Sequence, residues 1–493
     1  MLTVLSTRCC VCKLENRFSP RARACVRNRW IWAKLTLAAY ADSCDTSVIE
    51  RNGVLDVHAL VFNPHTNTFR HYLSSVIATS KSHLPERALL LLLAMVQFTH
   101  IMDFMIMMPL GPQLMRVLSI SASEFSLLIA AYTMTAGVIG FLTAPFIDRY
   151  DRRMVLLVSY AGFILGTYAC AASDSIGQLL LARAICGAFG GISNATILAI
   201  VGDLVPSERR GAAMGIIMTS FSAAAALGVP FGLFLAQRFR WETPFYLVVG
   251  IALVVETLLM LWLPHVRGHL EDGPPTSLRN FVSLLSDPNA WRGILLMVSL
   301  VFGHFTIIPF LSPHLVFNLK YPESHLALVY VVGGGLTIVT APLIGRLSDH
   351  FGRAKIFTIL VVVAAVIISL LTHAGPLPVF PTLIITGLFF IFASGRYVPA
   401  QAILTSAVPS ARRGAFMSLT ACTRDLCSGL AAVLAGRVVV QTSAGLLHVN
   451  WLGWLAVGTS LVSIWLIRRV RTVADKIPPA NQSAIPLGVA AEG

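Results

Sequence analysis

Nearly the same decapeptide occurs twice in this chain, 203 residues apart: Val205-Pro-Ser-Glu-Arg-Arg-Gly-Ala-Ala-Met214 and Val408-Pro-Ser-Ala-Arg-Arg-Gly-Ala-Phe-Met417. Each copy lies between two long apolar runs. Similarity at a fixed offset sets architecture before any local reading. Here it points to two like halves in a membrane, each placing a basic loop on the same side.

Composition supports a membrane rather than a soluble fold. The 493 residues are 56% hydrophobic and only 12% charged, and the mean hydropathy is +0.75. From residue 88 onward, apolar runs of roughly 20 residues follow one another, each long enough to cross ~30 Å of hydrocarbon. Twelve segments are predicted: 88–112, 124–147, 154–172, 176–201, 211–236, 243–263, 291–317, 324–346, 355–373, 379–405, 413–440 and 446–468. The stretch from His265 to Ala290, with Glu271, Asp272, Gly273, Pro274 and Pro275, reads as a polar linker dividing them six and six. The fold class expected is an all-α integral membrane protein of two pseudo-symmetric six-helix halves, 87–264 and 291–470, joined by linker 265–290 and followed by a tail, 471–493. Residues 1–86 are polar, rich in Arg and Cys, and hold no run able to span; a disordered or non-native extension is expected there. Trp30–Ala41 loosely resembles a signal peptide, but Lys34 breaks its core.

The net charge of +14 does not imply a nucleic-acid partner, because the arginines sit in short connections, where they orient a membrane protein. Arg149, Arg152, Arg153, Arg209, Arg210, Arg267, Arg279, Arg346, Arg353, Lys355, Arg412, Arg413, Arg468, Arg469 and Arg471 all fall on one side. That side is predicted to be cytoplasmic, with both termini there, in the cell membrane. Cys9-x-x-Cys12 has no second ligand pair, and Cys170, Cys186, Cys422 and Cys427 lie in apolar runs, so no metal or other cofactor is implied. No phosphate loop, zinc-protease motif or serine elbow occurs, and the connections are short. This argues against an enzyme and against driving by ATP.

Two further loops match between the halves. Ala144-Pro-Phe-Ile-Asp148-Arg149-Tyr-Asp151-Arg152-Arg153 follows segment two, and Gly345-Arg-Leu-Ser-Asp349-His350-Phe-Gly352-Arg353 follows segment eight. They resemble the G-x-x-x-D-R-x-G-R-R loop of the major facilitator superfamily, with Ala144 and Asp151 standing where glycines are usual. The resemblance covers roughly residues 88–470. It implies a transporter that rocks its halves about a central cavity. In it, Asp148 or Asp349, with Arg149, Arg152, Arg153, Gly352 and Arg353, latches helix ends when the basic side is shut. The alternative is topological: the arginines merely hold the loop inside. Gly228-Val-Pro230-Phe-Gly232 in segment five resembles a degenerate proline–glycine motif of the antiporter branch, or serves ordinary helix packing, as Gly187 and Gly191 do in segment four. Segment one, Gln97 to Pro112, resembles the arabinose-efflux-permease-like branch among drug:proton antiporters.

Ionisable groups inside spans mark pathways or partners. By helix rise, Asp103 lies ~13 Å and Arg183 ~10 Å from the same membrane face, so the two can pair. The resemblance links the segment-four arginine to proton coupling. Asp103 is the expected coupling carboxyl; a static ion pair is the alternative. His100, three residues earlier on the same helical face, is placed to share or pass a proton. Glu256, Arg396 (within the polar break Gly395–Gln401), Arg424 and Asp425 are cavity candidates or structural partners; Arg424 and Asp425, being adjacent, need not pair with each other. His304 is a weaker candidate. Met102, Met105, Met107 and Met108 either line a permissive pocket or pack. The function expected is proton-coupled export of a small organic molecule, drug-like or sugar, by a monomer in the lipid bilayer. Import, facilitated diffusion and a non-transporting sensor are the alternatives.

Overall fold

A computed structural model of the chain describes residues 85–147, 149–206, 209–267, 283–284 and 286–472. Expectations for residues 1–84, Asp148, the middle of the linker and the tail beyond 472 lie outside the described residues. Within hydrocarbon every backbone N–H and C=O must be paired inside the segment, so apolar runs cross as helices. Among the described residues, eleven helices are long and apolar enough to do so.

The first half holds α1 (Glu86–Ile106), α2 (Gly111–Val117), α3 (Ala122–Ile147), α4 (Arg152–Ala171), α5 (Ile176–Leu204), α6 (Arg210–Ala223), α7 (Val229–Arg238) and α8 (Thr243–Trp262). The second holds α9 (Pro288–Phe305), α10 (Ile308–Phe317), α11 (Leu326–Phe351), α12 (Arg353–His373), α13 (Val379–Phe389), α14 (Tyr397–Thr405), α15 (Ser410–Val438) and α16 (Val449–Arg469). Helix α15 is 29 residues long but carries Arg424 and Asp425 at mid-length, and it is the least apolar of the long helices. With it, each of the twelve expected segments is covered by one helix or by two in succession.

Several segments are broken where the sequence suggested continuity. Segment one is α1 and α2, interrupted at Met107–Leu110 around Pro109; segment seven is α9 and α10, interrupted at Thr306–Ile307 just before Pro309. Segment five contains a π-helical turn, Ala224–Gly228, between α6 and α7. Pro230 removes an N–H from that ladder, and the turn before it widens. A second π turn, Phe390–Ser394, joins α13 to the break before α14. The fold is not wholly helical: Val440–Thr442 and Gly445–Leu447 form a short antiparallel ribbon, β1 and β2, between α15 and α16. Asn318 holds it, donating to Leu446 O and accepting from Leu446 N at 2.7 Å each.

The halves meet along α3 and α15. Gly137 lies against Leu426, Gly429 against Met134 and Thr133, and Gly436 against Ser126, so the two backbones approach closely. The halves also touch on the face opposite the arginine loops. There α2 rests on α10, with Phe125 and Phe310 edge to face at 6.2 Å. Gln237 on α7 donates to Glu323 O at 2.7 Å, and Arg116 pairs with the Glu323 carboxylate.

Candidate functional site

Asp103 and Arg183 are brought together at the core of the first half. Both are fully excluded from solvent, at 0% exposure, and Arg183 Nη1 donates to Asp103 Oδ2 at 2.7 Å. The guanidinium also lies 4.5 Å from the centroid of the Tyr132 ring. The local sequence makes this approach available. Gly187 and Gly191 lack the Cβ that would meet the backbone at Tyr132 and Ala136, so α5 sits close against α3 and carries Arg183 to Asp103. The pair is incompletely satisfied: Asp103 Oδ1, Arg183 Nε and Arg183 Nη2 have no hydrogen-bond partner. A buried ion pair with open valences is costly to keep static, and its energy changes steeply when water gains access.

His100 does not join this pair. Its ring packs edge-on against Phe163 at 4.1 Å and Tyr160 at 5.5 Å, and neither ring nitrogen has a hydrogen-bond partner. The expected proton exchange with Asp103 therefore has no direct path in this arrangement. A three-residue step turns the side chain toward α4, while Asp103 faces α5. Glu256 belongs with His100 rather than with the ion pair. It is 5% exposed, neither carboxylate oxygen has a partner, and it lies within electrostatic reach of Tyr160, whose hydroxyl bonds Thr99 Oγ1 at 2.8 Å. The methionines pack: Met102 lies against Gly228 and Gly232, and Met107 and Met108 are buried.

A chain of buried and half-buried rings leads from the ion pair into the second half. Tyr132 neighbours Phe104 at 5.3 Å, Phe104 neighbours Phe305 at 6.1 Å, and Phe305 neighbours His304 at 5.9 Å. His304 stacks on Phe389 at 6.1 Å and meets Tyr397 edge-on at 5.6 Å. Beside them stands Arg396, at 0% exposure; its Nε donates to Ala393 O at 3.1 Å and its Nη1 to Ser460 Oγ at 2.6 Å. Arg424 and Asp425 do pair, Nε to Oδ1 at 3.0 Å, because the long arginine folds back over its neighbour. Asp425 is within electrostatic reach of Tyr132 and Arg424 of Tyr397, so this pair lies between the two clusters. Arg424 is 45% exposed at the mid-length of α15, which marks that region as accessible.

The loop residues hold each half together on the arginine face. Arg152 pairs with Asp203 at 3.2 Å, Arg153 donates to Met260 O at 2.5 Å, and Arg353 pairs with Asp349 at 3.2 Å. Asp349 is 67% exposed and engages its own helix end rather than the other half. Gly352 has φ +95°, a conformation only glycine adopts freely, and so ends α11. Arg149 is exposed. Asp151 proves to be a clasp: it caps α4 through Arg153 N at 3.0 Å and binds Val266 N, His265 Nδ1 and Arg267 Nε at 3.2, 2.6 and 2.9 Å. Burial alone would raise its pKa, but these hydrogen bonds outweigh burial and hold it at about 2. Arg116, Glu323, Phe104, Tyr132 and Ser460 were not singled out by the sequence, whose single-chain pattern carries no pairing information for them.

The sequence profile of the Major Facilitator Superfamily matches residues 93–432, with a second, overlapping match at 305–491. The chain belongs to the major facilitator superfamily. This superfamily member is 27% identical over 397 residues to the uncharacterized MFS-type transporter YtbD of Bacillus subtilis (strain 168), spanning 79% of this chain and 96% of that one. Its fold matches a D-xylose–proton symporter with a TM-score of 0.63 at 15% identity, covering 78% of this chain and 99% of the other. It also matches the human organic anion transporter MFSD10 with a TM-score of 0.60 at 17% identity, covering 78% and 100%. The protein is a multi-pass membrane transporter of this superfamily.

Proposed function

We propose that this transporter exports a small organic solute in exchange for protons, as a monomer in the cell membrane with both termini cytoplasmic. The carrying observation is the Asp103–Arg183 pair, fully buried yet with three polar atoms unpartnered. Protonation of Asp103 releases Arg183, and rocking of the halves changes which side can supply or take the proton. The proline–glycine segment Gly228–Gly232 and the likeness of segment one to drug:proton antiporters support exchange over symport. The named neighbours, a sugar symporter and an organic anion transporter, are compatible with either a sugar or a drug-like solute.

The test uses the purified full chain in sealed proteoliposomes, with labelled xylose, arabinose, benzoate and ethidium as probes. Exchange is expected to accumulate a probe when the interior is acid, and Asp103→Asn to abolish that accumulation. Accumulation driven only by an acid exterior makes the protein a symporter. An Asp103→Asn protein that still transports uphill with unchanged pH dependence removes Asp103 from coupling, and absence of all flux leaves a sensor.

A further inference from the structure

Among the described residues, Arg396 is the one candidate cation of the second half's spans with no carboxylate partner. Its neighbours are neutral: a backbone carbonyl, the Ser460 hydroxyl, and the rings of Tyr397 and His304. The Ser460 hydroxyl donates onward to Ala456 O at 2.6 Å, so it accepts from Arg396 and serves to orient the guanidinium. Nη2 has no acceptor at all, and His304 Nδ1 beside it has no partner either. The π turn Phe390–Ser394 and the break at Gly395–Arg396 place this side chain at the middle of the tenth span, where an uncompensated charge is expensive. Arg183 solves the same problem with Asp103, and Arg424 with Asp425. Arg396 does not.

We propose that Arg396 is the anion-binding residue for the transported solute, which is a small organic carboxylate with a flat apolar body. The free Nη2 edge supplies two N–H donors to a carboxylate oxygen, a charge-assisted contact stronger than any neutral one. The rings of Phe389, His304, Tyr397 and Phe305 supply faces for an aromatic or similarly flat group. Arg424, half-exposed and within electrostatic reach of Tyr397, is already neutralised by Asp425, so Arg396 is left as the cation for the solute. Binding an anion here neutralises the buried charge, so the occupied site crosses the membrane between access states with less exposed charge than the empty one. This inference rests on the transport reading above and narrows its solute.

The test measures equilibrium binding of radiolabelled benzoate, and of its neutral isostere benzamide, to the purified full-length protein. Benzoate is expected to bind at least tenfold more tightly than benzamide. Arg396→Gln is expected to weaken benzoate at least tenfold while leaving benzamide unaltered, and Arg396→Lys to recover part of the loss. Equal binding of the two probes, full benzoate affinity in a folded Arg396→Gln protein, or displacement of benzoate by an equal concentration of chloride overturns the proposal. Should Arg396→Gln fail to fold, the wild-type benzoate-to-benzamide ratio and the lysine variant decide. Gradient-driven flux of ethidium or xylose without benzoate binding sinks the anion site alone. Arg396-dependent benzoate binding without flux of any probe sinks the transport reading alone.

Discussion

Arg116, at the end of the first span, is ion-paired with Glu323 at the start of the eighth, and the pair joins the two halves on the face opposite the arginine loops. On the arginine face the pairs Arg152–Asp203, Arg209–Glu86, Arg353–Asp349 and Arg412–Asp287 each join residues of one half. Among these pairs of the described residues, charge ties the halves together on the face opposite the loops and braces each half internally where the loops lie. The buried acids and arginines sit between these two levels.

Breaking the Arg116–Glu323 pair should shift the balance of access rather than unfold the protein. Both partners are partly exposed, at 48% and 31%, so the pair is worth about 0–1 kcal/mol. Glu323→Gln should raise the reactivity of a cysteine introduced at Gln113 toward an impermeant maleimide up to about fivefold, the factor that 1 kcal/mol allows. An unchanged labelling rate would show that apolar contact between α2 and α10 suffices.

The Asp103–Arg183 pair should behave as a buried pair in stability measurements. Arg183→Leu strands a carboxylate in the core, and a loss of about 3–5 kcal/mol is expected. Replacing both residues by leucine should recover most of that loss while leaving the protein inactive. Thermal unfolding of the two single variants and the double variant gives the coupling directly. Additive losses would mean that the two side chains do not depend on each other.

What the sequence made legible follows from periodicity and repetition. Apolar run length gave the spans, the repeated Arg-Arg-Gly loops gave the halves, and helix rise alone set Asp103 and Arg183 at matching depths, where the structure joins them. Three features were out of reach because each depends on rotation or on a distant partner. His100 shares a face with Asp103 by spacing, yet it turns into the rings of Tyr160 and Phe163. Asp151 stands where a glycine is usual in the loop, and its work is to clasp a segment more than a hundred residues away, at His265–Arg267. The isolation of Arg396 is a statement about what lies around it in space, which a lone sequence does not hold.

The Asp151 clasp carries a definite pH signature. Its pKa is held at about 2, below the ordinary 3.8, so its contribution is complete above about pH 4 and is lost as pH falls through about 2. Its partners His265 and Arg267 are 56% and 63% exposed, and screening limits the contribution to about 1–2 kcal/mol. Asp151→Asn should be less stable than the parent by that amount at pH 7. The gap should close as pH drops from about 4 toward 2 in thermal melts of detergent-solubilised protein. A gap that stays constant across that range would assign the effect to the loop backbone and not to the charge.

Two glycines at similar helical contacts should respond differently to alanine. At Gly191 a new Cβ would stand 2.5 Å from the Ala136 carbonyl oxygen, and backbone of a packed helix cannot step aside. Overpacking there should cost about 1–3 kcal/mol. It should also push α5 off α3, which loosens Arg183 from Asp103 and lowers coupled transport more than it lowers stability. At Gly228 the nearest atoms are Met102 Cγ and Sδ at 3.2 Å, the flexible end of an unbranched side chain. Alanine at that position also gains up to about 1 kcal/mol of helix propensity over glycine. Gly228→Ala should therefore be close to neutral in melting temperature. The reverse order of the two variants would mean that the segment-five motif, and not the α3–α5 contact, sets the tightest constraint in this half.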